Sequence, residues 1–201
     1  MIRHVLAFIM IILMSGAAPA EASPTFQAVR DTYAQARDGQ IEPEKARDVL
    51  EAFLKGHPAH PVATAYLGSV RTMIARDAFF PFTKLTNVNQ GIELLDAALE
   101  RLDRAEVTAE HDGRLDILMV SGLTNAALPG SFGRRLMAER DLTQAKNLPS
   151  FQAVPAGTKA KVYAWLAVFA ATRDAAEADA LMTLARAEDT AVADALWDEE
   201  R

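Results

Sequence analysis

Apolar residues recur at helical spacing along almost the whole chain after residue 23, and proline, glycine or aspartate interrupts them at intervals. Because the alternation typical of half-buried strands is rare, this pattern predicts an all-α protein. Of the 201 residues, 50% are hydrophobic and 24% are charged, a composition typical of globular chains that bury a core. The chain has no cysteine, so the fold is expected to depend on packing without disulfides.

Two helices are predicted at the start of this region. The first is expected to begin at Ser23 and Pro24, which suit an N-cap and a first helical position, and to run to about Arg37. The second is expected over residues 43–55. A glycine follows each predicted helix within about two residues, so the two helices can form a hairpin.

Small residues recur at a fixed interval in this part of the chain. The interval from Ala34 to Gly68 equals the period of the tetratricopeptide repeat, which is about 34 residues. In that repeat, small residues in both helices allow close packing and a proline ends the unit. Ala46 and Pro58 occupy the second small position and the final proline position. Residues 25–103 therefore resemble the tetratricopeptide repeat family, although Arg30 and Thr64 replace its tryptophan.

The resemblance implies a particular architecture and a class of function. It implies antiparallel helical hairpins that stack into a short right-handed solenoid. It also implies a scaffold that binds protein or peptide partners and has no enzymatic activity. Because this fold serves many different partners, the partner itself is not specified by the resemblance.

The second hairpin differs from the first in length. Gly91 corresponds to Ala46, yet the interval from Gly68 to Gly91 is nearly twice the interval from Ala34 to Ala46. The second hairpin therefore contains an insertion, which includes the segment DAFFPFTKL at 77–85. Because proline is poorly tolerated inside a helix, we expect this segment to be an enlarged, irregular loop between the two helices.

The inserted segment has two interpretations. In the first, Phe79, Phe80 and Phe82 fold back and cap the hydrophobic core, each contributing about 1.5 to 3 kcal/mol. In the second, the rings line a partner-binding groove. The candidate binding residues are then the three phenylalanines together with three cations that could face acidic groups or a C-terminal carboxylate, namely Arg71, Arg76 and Lys84.

The second half of the chain is also expected to be helical. Helices are predicted over residues 112–127, 131–146, 158–172, from 174 onward and over 189–197. Ser131 is expected to cap the second of these helices, with Leu136 on its core side and Arg134, Arg135 and Arg140 on its solvent side. Asp174 resembles an N-cap. Trp197 is expected to dock on the core, with a role as a partner-contact residue as the alternative.

The N-terminus has the layout of a secretory signal peptide. Arg3 precedes an uninterrupted apolar run over residues 5–14, and small residues follow, with cleavage expected after Ala20 or Ala22. The apolar run is shorter than the roughly 20 residues that a bilayer span needs. We therefore expect a periplasmic or secreted protein, with residues 1–22 removed, no stable membrane span after cleavage, and residues 23–201 forming one domain.

No pattern of residues in the sequence indicates catalysis, a metal site or a cofactor. His57 and His60 lie in a proline-rich turn without nearby cysteines or a cluster of carboxylates. Phosphate-binding glycine loops and nucleophile motifs are also absent. The net charge of −6 disfavours nucleic acid as a partner.

Two hypotheses of function follow from the sequence. The first is an exported, non-enzymatic helical adaptor that binds a protein or peptide in the cell envelope. The second is a carrier of a small molecule or lipid, in which a loop over residues 77–88 closes an apolar cavity.

Overall fold

The computed structural model of the protein describes residues 24–103 and 113–200. Within these two ranges, all regular structure is helical, which confirms the predicted all-α class. The α-helices are α1 Phe26–Arg37, α2 Pro43–Gly56, α3 Pro61–Asp77, α4 Pro81–Asp103, α5 Gly113–Ala126, α6 Arg135–Lys146, α7 Ala156–Ala170, α8 Ala175–Glu188 and α9 Thr190–Glu200. The predicted signal peptide at residues 1–22 lies outside the described residues.

The first two helices form close to where the sequence predicts them. α1 begins slightly later than expected, because the Thr25 side chain, rather than Ser23, caps it by accepting a hydrogen bond from the Ala28 amide. Gly39 has a φ of 70°, a conformation that glycine adopts without strain, and it follows the end of α1. α2 has Pro43 at its first position, where the missing amide hydrogen costs nothing.

Helices that are adjacent in the sequence pack against each other, and the odd-numbered helices also contact one another. α1 contacts α3, α3 contacts α5, and α5 contacts α7. The side chains buried by this packing, from Val29 to Ala193, form one hydrophobic cluster. The cluster therefore extends across both halves of the chain.

The predicted enlarged loop in the second hairpin is wrong. α3 has 17 residues and α4 has 23, compared with 12 for α1 and 14 for α2. The inserted residues therefore lengthen both helices, and only residues 78–80 separate them. Proline disrupts the interior of a helix but suits its first turn, and Pro81 is the first residue of α4.

The helix after α5 also differs from the prediction. Residues 130–132 form a short 3₁₀ turn, and α6 begins at Arg135 without the predicted Ser131 cap. Leu136, which was expected to face the core, is 78% exposed. The buried positions of α6 are Ala138, Asp141, Leu142 and Ala145.

The C-terminal half follows its predicted pattern more closely. Asp174 accepts hydrogen bonds from the amides of Ala176 and Glu177 and so caps α8, as expected. Trp197 is partly buried and packs against the core, which confirms the predicted docking. The connector before α7 is not an open linker, because Phe151 within it is fully buried and packs edge-on against Tyr163.

Candidate partner-binding tip of the second hairpin

The turn between α3 and α4 is short and tightly hydrogen bonded. The amide of Ala78 donates to the carbonyl of Ile74, which ends α3. Two residues later, the carbonyl of Phe80 accepts from the amide of Lys84, which begins α4. These bonds hold the backbone on both sides of the turn, so the side chains of the turn project from a defined position at the end of the hairpin.

Four large apolar side chains at this end of the hairpin are exposed. Phe79, Phe80, Phe82 and Leu85 expose 89%, 66%, 81% and 51% of their surface. We refer to these four residues as the aromatic tip. Their exposure shows that the interpretation of the phenylalanines as a cap on the core is wrong, because rings that cap a core are buried.

The helix that follows the turn extends the apolar surface. Phe82 and Leu85 lie three residues apart on α4, and residues at this spacing share one face of a helix. Leu85 was not among the residues predicted from the sequence. The three-residue spacing between Phe82 and Leu85 could have indicated that the two share a helix face. This spacing is informative only if the helix begins at Pro81.

The three predicted cations of the site make contacts within the chain. Arg71 donates to Glu51 at 2.5 Å and to Asn87 at 3.4 Å, so it joins α2, α3 and α4 below the tip. Arg76 donates to Asp77 at 2.9 Å. Lys84 donates to the backbone carbonyl of Arg76 at 3.4 Å. Arg76 and Lys84 therefore lie near the aromatic tip, whereas Arg71 acts as a structural link.

A surface cleft of about 350 Å³ lies beside the aromatic tip. Its walls come from the start of α2, the end of α3 and the turn before α4. The charged side chains that line it are all carboxylates, from Glu42, Glu44 and Asp77, and the rings of Phe79 and Phe80 also line it. The two rings are perpendicular, with centroids 5.2 Å apart. The cleft therefore combines aromatic surface with negative charge.

The carboxylates of the cleft differ in their surroundings. The Arg76 guanidinium donates a hydrogen bond to Asp77 and lowers the pKa of that carboxyl. Within the described ranges, neither Glu42 nor Glu44 forms an ion pair, and Glu42 precedes α2 without capping it through its side chain. The negative charge of Asp77 is therefore balanced locally by a hydrogen-bonded cation. Glu42 and Glu44 have no such partner, although Glu44 interacts electrostatically with Arg47.

His57 and His60, the two histidines considered above as possible metal ligands, have structural contacts. His60 accepts a hydrogen bond from the Ala63 amide at the start of α3, and His57 stacks on Phe53.

In the part of the chain that the structure describes, no group of three or more histidine, aspartate or glutamate side chains is placed to hold a metal ion. In the same ranges, none of the helices combines the length and the hydropathy needed to cross a bilayer.

A chain of buried and half-buried polar groups connects α4, α5 and α6. Arg134 donates to Asp96 at 3.1 Å and to Asn125 at 3.0 Å. Asn125 donates to Ser121, which donates in turn to Asp141 at 2.7 Å. Arg134 was expected to face solvent, but only 15% of its side chain is exposed. Arg140 is exposed, as expected, and it also pairs with Asp141. Sequence spacing gave no signal for this network.

A scan against protein-family models found no match to this chain, and searches of curated proteins and of solved structures also found none.

Proposed function

We propose that this protein is an exported, non-enzymatic helical adaptor that binds a protein or peptide partner of the cell envelope through the aromatic tip. The observation that carries the proposal is the exposure of three phenylalanines at the end of one hairpin. Burying a phenylalanine contributes about 1.5 to 3 kcal/mol, and aromatic side chains are enriched at the centres of protein interfaces.

The position of the tip adds support. Large apolar side chains scattered singly over a surface are ordinary, whereas a contiguous exposed patch is a marker of an interaction site. The phenylalanines of the tip are adjacent or two residues apart, and Leu85 extends their surface by almost one helical turn. A partner that covered the four side chains would remove them from water together.

The arrangement of the helices also favours a scaffold. In a repeat scaffold, hairpins stack so that equivalent helices of successive hairpins contact each other. The contacts among α1, α3, α5 and α7 follow this order. The close approach of α3 and α4 at two glycines, Gly68 and Gly91, agrees with the small-residue positions of the tetratricopeptide repeat. We therefore propose that the hairpins form a short solenoid of this kind.

The alternative function, a carrier whose cavity is closed by a loop, lacks the loop that it requires. The segment expected to act as a lid, residues 77–88, is a short turn followed by α4 from Pro81. The cleft beside the tip opens to solvent and is lined by three carboxylates, whereas ligand cavities of carriers are mostly apolar. These features favour the adaptor over the carrier.

Replacing Phe79 and Phe80 together with alanine is expected to abolish partner binding and to change the melting temperature by less than about 2 °C. The small thermal effect follows from the exposure of the rings, because truncating an exposed side chain removes little buried surface. The measurement is photo-crosslinking in cells from a probe at position 82, compared between the double variant and the unchanged chain, with thermal unfolding of both purified proteins.

A matched control is Leu136→Ala, which also removes an exposed large apolar side chain but lies on α6. It should leave the crosslinked product unchanged. Equal loss of the product in the control, or no discrete product from the unchanged chain, would argue against binding at the tip. A large drop in melting temperature for the Phe79→Ala, Phe80→Ala variant would indicate that the rings stabilise the fold.

Export gives a second expected result. The mature protein should begin at Glu21 or Ser23, because the expected cleavage follows Ala20 or Ala22. Intact-mass measurement of the protein from an envelope fraction tests this expectation. A cytoplasmic protein that retains Met1 would contradict export, and a membrane-bound protein that retains residues 1–22 would indicate an uncleaved anchor.

A further inference from the structure

We infer that the partner presents a basic side chain next to an apolar one, so that the cation enters the cleft beside the aromatic tip while the apolar group covers the phenylalanines. This inference rests on the proposed function and adds the chemistry of the partner to it. It also reverses the charge expected from the sequence, where Arg71, Arg76 and Lys84 suggested an acidic partner.

The expected charge of the partner changes from acidic to basic because the three predicted cations make contacts within the chain. Arg71 is only 23% exposed and is held by Glu51. Arg76 is paired with Asp77, and the Lys84 ammonium contacts a backbone carbonyl. None of the three side chains lines the cleft, although Asp77 does. An acidic group entering the cleft would therefore face three carboxylates, of which only Asp77 is hydrogen bonded to a cation.

The carboxylates and rings of the cleft together favour a cation. Glu42 and Glu44 are exposed at the start of α2 and form no ion pair within the described residues. A lysine or arginine head group attracts both carboxylates and the faces of aromatic rings, to which cations bind by about 0.5 to 2 kcal/mol. The methylene stem of the same side chain can pack on apolar surface, so one basic residue satisfies both features of the cleft.

The same charges disfavour an anionic membrane surface as the occupant. Exposed aromatic side chains can insert into a bilayer interface, and binding of this kind is usually strengthened by basic residues that face anionic lipid. Here the cleft beside the rings holds three carboxylates, and the whole chain has a net charge of −6. A basic segment of a protein fits these charges better than an acidic lipid surface does.

The test is selection from a random peptide library, with the full mature chain as the bait. We expect the selected peptides to carry lysine or arginine close in sequence to a large apolar residue. Replacing Glu42 and Glu44 together with glutamine should weaken their binding about tenfold at low salt, and added salt should weaken binding to the unchanged chain. Glutamine avoids placing a cation at the N-terminus of α2, where it would destabilise the helix.

A control variant with the same net charge separates local from global electrostatics. Glu93→Gln with Asp179→Asn removes two exposed carboxylates from α4 and α8, away from the turn at residues 78–80, and should leave the affinity within about twofold of the unchanged chain. Equal weakening in both double variants would overturn the inference, because net charge would then account for the effect.

The remaining outcomes distinguish the inference from the proposed function. If the selected peptides need Phe79 and Phe80 but are acidic or uncharged, the inference fails and the proposed function stands. If they bind the Phe79→Ala, Phe80→Ala variant as well as the unchanged chain, or if no peptide is selected, both fail. Binding to vesicles of phosphatidylglycerol that requires the two phenylalanines would overturn the inference in favour of a membrane surface.

Discussion

Replacing Gly91 with alanine is expected to lower the free energy of unfolding by about 2 kcal/mol, although alanine is the better helix former by about 1 kcal/mol. A methyl group at this position would lie 2.7 Å from the carbonyl oxygen of Gly68 and 2.7 Å from a methyl carbon of Thr72. The first of these atoms belongs to the backbone of α3, so the clash can be relieved only if the two helices move apart.

The contact is reciprocal, which makes relief by a local shift harder. A methyl group at Gly68 would lie 2.8 Å from the carbonyl oxygen of Gly91 and 3.0 Å from a side-chain carbon of Leu95. Leu95 is fully buried, so separating the helices at this crossing would also loosen the core around it. We expect the two single substitutions to be non-additive, because either one forces the same separation.

Gly157→Ala is the matched control for this prediction. Gly157 is also helical, in α7, but an added methyl group there meets its nearest atom, a carboxylate oxygen of Asp189, at 3.5 Å, which is ordinary contact. This variant should be unchanged or up to about 1 kcal/mol more stable. Urea denaturation of both variants measures the difference, and a Gly91→Ala protein as stable as the unchanged chain would contradict the close helix crossing.

The contact at Gly68 and Gly91 could be predicted from the sequence because only small residues permit such an approach. The repeat period placed Gly68 in the first helix of its hairpin, and the matching pattern around Gly91 placed that residue in the second. The structure brings the two glycines together at the crossing of α3 and α4. Small residues at equivalent positions of successive hairpins are therefore informative about packing.

The conformation of the inserted residues could not be predicted in the same way. Comparing the small-residue intervals of the two hairpins gives the number of extra residues. It does not tell whether those residues form a loop or additional helical turns. Pro81 is compatible with both, because proline suits a loop and the first position of a helix equally. The three phenylalanines favoured burial, since hydrophobic residues are usually inside. The phenylalanines are exposed because they lie at a short turn between two helices, and the length of that turn is known only from the structure.

Replacing Asp141 with alanine is expected to lower the free energy of unfolding by about 2 kcal/mol. The Asp141 side chain is fully buried in α6. It accepts a hydrogen bond of 2.7 Å from the Ser121 hydroxyl and bonds of 2.7 and 2.9 Å from the Arg140 guanidinium. Alanine would leave the buried hydroxyl of Ser121 without its acceptor and would open a small cavity between α5 and α6.

The exposed residue Asp179, on α8, provides the control, because its replacement by alanine should change the free energy of unfolding by no more than about 0.5 kcal/mol. Urea denaturation at pH 7 compares the two variants with the unchanged chain. If Asp141→Ala and Asp179→Ala have the same small effect, the hydrogen bonds of Asp141 contribute little and the network does not stabilise the packing of α6 on α5.

Asp141→Asn tests the charge of this carboxylate separately from its hydrogen bonds. Burial raises the pKa of Asp141 above its ordinary value of 3.8, and the hydrogen bonds from Ser121 and Arg140 lower it by less. A raised pKa means that the folded state binds the proton more tightly than the unfolded state does. The contribution of Asp141 to stability is therefore greatest at or below about pH 4 and falls as the pH rises through the raised value.

An asparagine at position 141 cannot titrate, so this dependence on pH should disappear in the variant. We expect the free energy of unfolding of the unchanged chain, minus that of Asp141→Asn, to decrease between about pH 4 and the folded-state pKa and to be constant above it. Urea denaturation at intervals of half a pH unit measures the difference. A difference that instead grows as the pH rises would mean that Arg140 and Ser121 outweigh burial and that the network stabilises the charged carboxylate.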